Sequence, residues 1–283
     1  MKGRSAIVVV AVVLLTAATG CIGGGNADVG ADIAPNPEPV ETDATGEEVL
    51  ASALGATEGV GAYSVESETR MDLASLFGVS VEMETSGEFD GGNGVAYTQT
   101  QGDAGVEFLG LSGGERFETD VYQTTDTRYT RKSNGSVTGD WNVTETDGAL
   151  PLGLGNLRRT VKDADATLEG VESINGTEAY VLSLDLPASA VGEEFSHTME
   201  TYGPENFGED DEGGNASEGD VNESETYLWV DRGTDRPVRF AYVMSLDFAG
   251  DGENEAGGSV EFMGDRRYSY QGVEIQTPEG VDG

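Results

Sequence analysis

The chain has 283 residues, of which 53 are acidic and 15 basic, giving a formal net charge of −38 at pH 7. Such a charge disfavours nucleic acid and anionic membrane surfaces as partners, because both are negatively charged. With one histidine, His197, and one cysteine, Cys21, the chain cannot form a multi-histidine zinc site or an internal disulfide.

The acidic composition favours a protein adapted to high salt. Its only lysines are Lys2, Lys132 and Lys162, while aspartate and glutamate dominate the charged residues. At molar salt the Debye length falls to about 3 Å, so mutual repulsion is screened and hydrated carboxylates keep the chain in solution. Intrinsic disorder would explain the charge in parts of the chain, but not in its alternating apolar segments.

Residues 1–20 are predicted to be a secretory signal peptide. Lys2 and Arg4 precede the apolar run Ala6–Leu15, which is shorter than the roughly 20 residues of a membrane-spanning helix. Cys21 directly follows the small residues at 18–20. This order resembles a lipobox and predicts lipid attachment at Cys21. The alternatives are an unlipidated signal peptide and an N-terminal membrane anchor.

A tether and a helix are predicted next. Residues 21–43 are rich in glycine, acidic residues and proline without apolar periodicity, which predicts a flexible tether. A single domain is expected over 44–278, followed by a tail at 279–283. It opens with a capping box beginning at Thr45 and with apolar residues at helical spacing: Val49, Leu50, Ala53 and Leu54.

After Gly61 the apolar period changes to two, which predicts antiparallel strands joined by short hairpins. A glycine-rich turn at 91–94 separates Glu82–Asp90 from Val95–Gln101. Further predicted strands are Val106–Leu111, Arg116–Gln123 and Thr127–Lys132. The apolar segment Leu150–Leu157 is interpreted as a short helix or a loop that covers the sheet.

The second half of the domain also predicts hairpins. Asn175-Gly176 joins Ala166–Ser173 to Thr177–Leu186. Residues 188–224 lack apolar periodicity and are predicted to be an acidic, disordered insertion. The remaining predicted strands are Tyr227–Asp231, a clear strand from Val238 to Phe248, and a final pair, Gly258–Gly264 and Tyr268–Gln276.

Large apolar residues on these strands have two interpretations. They form an ordinary core, or they line an apolar groove on a curved sheet with too few helices to cover it. The second interpretation assigns a hydrophobic ligand to a face formed by Trp229, Phe240, Tyr242, Met244, Phe248 and Phe262.

Catalytic, metal and phosphate-binding signatures are not found in the sequence. The acidic run from Glu209 to Glu225 lacks the ligand order of a calcium loop and is interpreted as solvated. We expect no enzyme activity, no cofactor and no metal site, with His197 exposed or in a loop. Sequons occur at Asn134, Asn142, Asn175, Asn215 and Asn222, of which Asn175 is disfavoured because it lies in a tight turn.

The order of elements resembles the outer-membrane lipoprotein carrier (Lol) superfamily and the related lipid-carrier lipoproteins of mycobacteria. The residues that carry this resemblance are the early helix and the segments 171–182, 228–231, 236–239 and 270–275. In character the chain is also similar to acidic surface lipoproteins of halophilic archaea. The resemblance implies an α+β fold that is mainly antiparallel β, an unclosed half-barrel with one to three short helices and an apolar concave side.

The leading hypothesis is a monomeric lipoprotein, anchored to the outer face of the cytoplasmic membrane through Cys21, that binds or carries a lipid or another hydrophobic ligand. The alternative is a non-catalytic structural or interaction lipoprotein of the cell surface, with a filled core and a glycosylated exterior.

Overall fold

The computed structural model describes residues 33–72, 79–108, 111–134, 137–146, 152–187, 220–248 and 258–281, with the isolated residues 190, 193, 197 and 201. The predicted signal peptide, Cys21 and most of the acidic insertion, including Asn215, lie outside the described residues. His197 has helical backbone geometry and is half-buried, whereas an exposed or loop position was expected.

The predicted helix α1 is Gly46–Thr57, and its capping box is confirmed. The Glu48 N–H donates to the Thr45 hydroxyl at 3.2 Å, and the Thr45 N–H donates to the Glu48 carboxylate at 2.9 Å. These bonds satisfy helix N–H groups that lack partners within the helix. Val49, Leu50 and Ala53 are buried, so one side of α1 faces the core.

A first group of strands, the N-terminal meander, contains β1 Ala62–Asp72, β2 Val79–Asp90, β3 Val95–Phe108, β4 Leu111–Gln123, β5 Thr127–Asn134, β6 Val137–Thr138 and β7 Asn142–Glu145. The hairpin around residues 91–94 is confirmed. The predicted strand Val106–Leu111 is wrong: Phe108 pairs with Leu111, so this segment joins β3 to β4. Apolar residues continue through this segment at Val106, Phe108, Leu109 and Leu111, so the sequence pattern does not mark the reversal.

Helix α2, Leu154–Val161, leads into the C-terminal meander of β8 Asp165–Ile174, β9 Thr177–Asp185, β10 Asp220–Asp231, β11 Pro237–Phe248 and β12 Gly258–Ser269. The Asn175-Gly176 hairpin is confirmed. Both turn residues have positive φ, 50° and 83°, as a two-residue turn of this kind requires.

These strands form one antiparallel sheet in the order β6-β5-β4-β3-β2-β1-β12-β11-β10-β9-β8, with β7 paired to β5. The two meanders meet where β1 pairs with β12. The terminal strands of this order do not pair with each other, so the half-barrel is unclosed. The predicted fold class is therefore confirmed: mainly antiparallel β with two short helices among the described residues. No helix in the described part is long and apolar enough to cross a membrane.

The two faces of the sheet carry separate apolar clusters. We call the face on which α1 and α2 pack the inner face. Its cluster joins helix residues such as Leu50 and Leu157 to strand residues such as Phe240. The outer cluster consists of Ile33, Ala179, Val181, Trp229 and Ala241. Alternation of side chains along each strand separates the clusters.

The predicted last hairpin is wrong, because β12 is one continuous strand from Gly258 to Ser269. Its charged centre, Asp265-Arg266-Arg267, is typical of a turn but is stabilised within the sheet. On the outer side, Asp265 accepts hydrogen bonds from Arg239 at 2.8 Å and from Arg267 at 2.8 Å. On the inner side, Arg266 is fully buried.

Two predicted boundaries also change. Strand β10 begins at Asp220, so residues 220–224 of the predicted insertion belong to the sheet, where all of them except Asn222 have a register partner in β11. The predicted tether 21–43 is held to the domain at two points, since Ile33 is buried and Glu38 forms a β-bridge to Val171.

Candidate ligand site on the inner face

The predicted apolar ligand face is mostly a closed core. Phe240, Tyr242, Met244 and Phe262 lie together on the inner face, and none is more than 1% exposed. They share a cluster with residues of α1 and α2. In this half of the sheet, the packing therefore favours the interpretation that the aromatic residues form an ordinary core. The side chain of Phe248 lies outside the described residues.

The prediction for Trp229 is wrong, because this residue lies on the outer face. It belongs to the outer cluster, where its indole N–H donates to Glu172 at 2.8 Å and the Arg239 guanidinium lies 4.4 Å from its ring. Its neighbours Leu228 and Val230 point inward instead. Because all three residues are large and apolar, their sequence does not reveal which of them faces outward.

A β-bulge places Val238 and Phe240 on opposite faces, although period-two alternation along the predicted strand would place both on one face. The pairing register shifts between Trp229 and Val230, which oppose Arg239 and Pro237. Val238 therefore packs with the outer cluster, while Phe240 packs with the inner one. A bulge changes the phase of side-chain alternation, and periodicity alone does not reveal it.

The inner face of the N-terminal meander carries a second group of side chains, which we call the hydroxyl patch. Its members are all buried: Ser67, Thr69, Thr85, Thr98, Thr100 and Thr119. Four of them form one row across β4, β3, β2 and β1, because consecutive members are register partners: Thr119, Thr100, Thr85 and Ser67. The hydroxyls of Thr85 and Thr100 are 2.9 Å apart and hydrogen-bonded.

Three of these hydroxyls are buried without a hydrogen-bond partner among the described residues: Ser67 Oγ, Thr98 Oγ1 and Thr119 Oγ1. Leaving a buried polar group unsatisfied costs about 1–3 kcal/mol each. The surroundings are apolar, since Val65, Met83, Phe117 and Val121 point to the same face. The patch therefore combines apolar walls with groups that can donate or accept hydrogen bonds.

Arg266 lies where the hydroxyl patch meets the apolar core. Ser67 of β1 pairs with Arg266 of β12, which in turn pairs with Phe240 of β11. The guanidinium lies 5.8 Å from the Phe240 ring and 5.7 Å from the Tyr242 ring, and its Nη2 donates to the Tyr242 hydroxyl at 3.5 Å. The aromatic faces help to stabilise this buried cation.

Tyr63 connects the sheet to α2 at one end of the inner face. Its hydroxyl accepts a hydrogen bond from the Leu154 N–H at 2.9 Å, and its ring stacks on Phe89 at a centroid distance of 4.8 Å. Burial raises the pKa of Tyr63 to about 12, although the bond from Leu154 acts in the opposite direction. Burial also raises the pKa of the neighbouring Tyr270.

Other surface depressions have different chemistry. One of about 360 Å³ lies on the outer face and is lined by polar side chains, including Glu66, Glu84 and Arg267. Another, of about 550 Å³, lies between the helices beside Leu54 and is bordered by Arg158 and Arg159. Arg158 is paired with Glu58. The first also borders Ser67 and Thr85 of the hydroxyl patch, but neither depression is lined by Val65, Phe117 or Val121.

The other predicted site residues are dispersed. Asn142 is exposed at the start of β7 and Asn175 is exposed in its turn, whereas Asn134 and Asn222 lie within strands. Among the described residues, no group of three or more histidine, cysteine or acidic side chains is arranged to hold a metal ion.

Comparisons with known proteins give similarity in structure only. No protein-family model matches the chain, and no curated protein matches it. A solved LolA superfamily protein from Nitrosomonas europaea is 12% identical, with 80% of this chain and 92% of that chain covered and a TM-score of 0.25. A DUF1329 family protein from Desulfovibrio piger is 11% identical, with coverages of 79% and 91% and a TM-score of 0.23. Because both TM-scores are low, neither likeness bears on what this chain binds.

Sequence reasoning missed the hydroxyl patch, although a signal was present. Ser67 and Thr69 are in phase with Val65 and Met71, so period-two alternation places them inward. Thr85 likewise follows Val81 and Met83 in phase. Hydroxyl side chains are common at both exposed and buried strand positions, so their type alone does not distinguish the patch from a solvated face.

Proposed function

We propose that this protein binds an amphipathic, lipid-like ligand on the inner face of the half-barrel. The ligand's hydrogen-bonding head would contact the hydroxyl patch, and its apolar part would lie along Val65, Phe117 and Val121. The observation that supports this proposal is the burial of the Ser67, Thr98 and Thr119 hydroxyls without partners in the part of the chain that the structure describes. Hydroxyl or ester groups on a ligand would satisfy them and offset the cost of their burial.

The proposed location is outside the cytoplasmic membrane, with the protein held there by a lipid on Cys21. The basic residues Lys2 and Arg4, the short apolar run and the position of Cys21 support export and anchoring. The excess of acidic over basic residues supports function in high salt. In this proposal the protein holds or carries its ligand and does not transform it.

The second candidate is a structural or interaction lipoprotein of the cell surface. The packing of Phe240, Tyr242 and Phe262 with helix residues favours it, because these side chains belong to one buried apolar cluster, as in an ordinary core. The exposed sequon at Asn142 is the best-placed candidate for a glycan on such a surface.

The first test is native mass spectrometry of the full protein, purified in molar KCl from its own membrane. We expect a stoichiometric, non-covalent lipid in addition to any modification at Cys21. Binding is then measured by titrating the lipid-free protein with monooleoylglycerol, an amphiphile with a neutral hydroxyl head.

Two substitutions test the hydroxyl patch directly. The double variant T98V/T119V keeps side-chain size but removes two hydroxyls, and we expect it to bind monooleoylglycerol about tenfold more weakly or worse. The matched control is T226V, because the Thr226 hydroxyl is also buried without a partner but lies on β10, away from the patch. Equal affinity of the double variant and the control would contradict the site. A chain that neither retains nor binds a lipid would favour the structural candidate.

A further inference from the structure

The first described residues form an ordered strap, which we define as residues 33–40. Ile33 is 2% exposed and packs in the outer cluster with Val181 and Trp229. Five residues later, the Glu38 N–H donates to the Val171 carbonyl at 2.8 Å, and the Val171 N–H donates to the Glu38 carbonyl at 2.9 Å. The strap is thus held by an apolar contact on the outer face and by a two-bond bridge to the edge strand β8.

Strand β8 has a local structure that fits the strap. Its pairing with β9 shifts between Leu168 and Gly170, and Gly170 has a φ of 152°, which favours glycine. A Cβ atom at Gly170 would overlap the Glu38 carbonyl oxygen and lie 3.1 Å from Pro37 Cβ. Only glycine at this position allows the strap to approach so closely.

The chain passes around the sheet edge after the strap. It lies on the outer face at Ile33, reaches the β8 edge at Glu38, and enters the inner side where α1 begins at Gly46. A Cβ atom at Gly46 would overlap the Ala166 carbonyl group of β8. Edge strands expose unpaired backbone groups, so this path also protects the edge of the sheet.

We propose that the contact of the strap with the outer cluster directs the chain that leads to Cys21 away from the outer face, and so turns the outer face of the C-terminal meander toward the membrane. This inference rests on the membrane attachment proposed above. With the strap docked, residues 21–32 connect the anchor to the domain and span at most about 40 Å, because an extended chain advances about 3.3–3.6 Å per residue. If the chain were undocked as far as Thr45, the distance between the same anchor and the domain could reach about 80 Å.

Energy transfer to the membrane tests this orientation. The mature chain from Cys21, made without lipid, is coupled through that single thiol to a maleimide lipid in phosphatidylcholine vesicles in molar KCl. Donor dyes are attached through azidophenylalanine at Glu261, exposed on the outer side of β12, or at Ala51, exposed on α1. Acceptor dyes are placed in the bilayer.

We expect stronger transfer from position 261 than from position 51. The variant I33D/G170V should abolish this difference, because it places a charge in the apolar cluster and a side chain against Glu38. The conservative variant I33V is the matched control and should keep the difference. Equal transfer from both positions in the unaltered chain would overturn the proposal, as would a difference that persists in I33D/G170V.

Hydrogen exchange on the same samples separates docking from orientation. The amides of Glu38 and Val171 should exchange faster in I33D/G170V, while the Leu182 amide in the core should keep its protection. Protected strap amides combined with equal transfer would show that the strap docks without orienting the domain, which also overturns the proposal. The anchor in this experiment is attached chemically and does not depend on lipidation in the cell. An unmodified Cys21 in native material would therefore contradict the proposed anchoring, while the orientation measured on vesicles would remain a valid test of the strap.

Discussion

The two meanders use the same antiparallel geometry but fill their inner faces with different chemistry. One register row crosses both halves and passes through Thr119, Thr100, Thr85, Ser67, Arg266, Phe240, Leu228 and Leu182. It changes from hydroxyls to large apolar side chains at Arg266. The backbone alone therefore does not determine which part of the half-barrel is core and which part is a candidate site.

The position of the helices explains this division. Helix α1 contacts β8, β9 and α2, so it lies over the C-terminal meander. Apolar side chains beneath it are removed from water and contribute to stability at about 25 cal/mol per Å² of buried apolar surface. In the N-terminal meander, buried hydroxyls lower the net benefit of burial. The C-terminal half thus holds most of the apolar core, and the N-terminal half carries the proposed site.

The largest expected effect is in the apolar half. Replacing Phe240 by alanine should lower the free energy of unfolding by about 3–5 kcal/mol, because it creates a cavity among fully buried neighbours. Replacing Thr119 by valine, in the same register row, should change stability by less than about 1 kcal/mol or increase it, because the hydroxyl has no partner. Denaturant titration in molar KCl measures both values.

A similar loss of stability in both variants would contradict the division into two halves. It would mean that the hydroxyl patch is packed as tightly as the core and that its threonines serve the fold. T119V would then be unsuitable as evidence for a ligand site.

Two glycines offer a closer comparison, with an intermediate effect. Gly264 and Gly102 each lie in a strand beneath an aromatic ring, and a Cβ atom would overlap Tyr242 in the first case and Phe117 in the second. Tyr242 is fully buried, so G264A should cost about 1–3 kcal/mol through overpacking. Phe117 is 8% exposed and borders the hydroxyl patch, so its ring has more freedom to tilt and G102A should cost less. Thermal or denaturant unfolding measures the loss of stability in each variant. A larger loss in G102A than in G264A would contradict the comparison.

Much of the fold could be predicted because its turns are encoded locally. Asn175-Gly176 and the glycines at 91–94 supply the backbone conformations that hairpins need, and the capping box at Thr45 specifies the start of α1. The continuous strand β12 could not be predicted, because Asp265 and Arg266 are stabilised by residues distant in sequence, Arg239 and Tyr242.

The site was harder to predict than the fold for a related reason. The face on which Trp229 lies depends on the register of three consecutive large apolar residues. The face on which Val238 lies depends on a β-bulge. The strap was missed because Ile33 is an isolated apolar residue in a proline-rich segment, and its partners Val181 and Trp229 lie far along the chain. In each case a long-range contact overrides a local pattern.

The smallest expected effect is at Tyr63, where the sheet meets α2. Replacing Tyr63 by phenylalanine keeps the ring stacked on Phe89 but removes the acceptor for the Leu154 N–H, and should cost about 1 kcal/mol near pH 7. The folded-state pKa of Tyr63, about 12, lies above the ordinary value near 10. The protonated hydroxyl is thus favoured in the folded state, and its contribution to stability is complete below pH 10 and is lost as the pH rises through 12.

The loss of stability between pH 10 and 12 should therefore be smaller in Tyr63→Phe than in the unaltered protein, so the two stability curves should converge in alkali. Some alkaline loss should persist in the variant, because burial also raises the pKa of Tyr270. Denaturant midpoints measured in molar KCl at pH 8, 10 and 11.5 test this expectation. Parallel curves would show that the hydroxyl of Tyr63 reaches water, and that the inner face is open at the junction of β1 and α2, which would extend the candidate site beyond the hydroxyl patch.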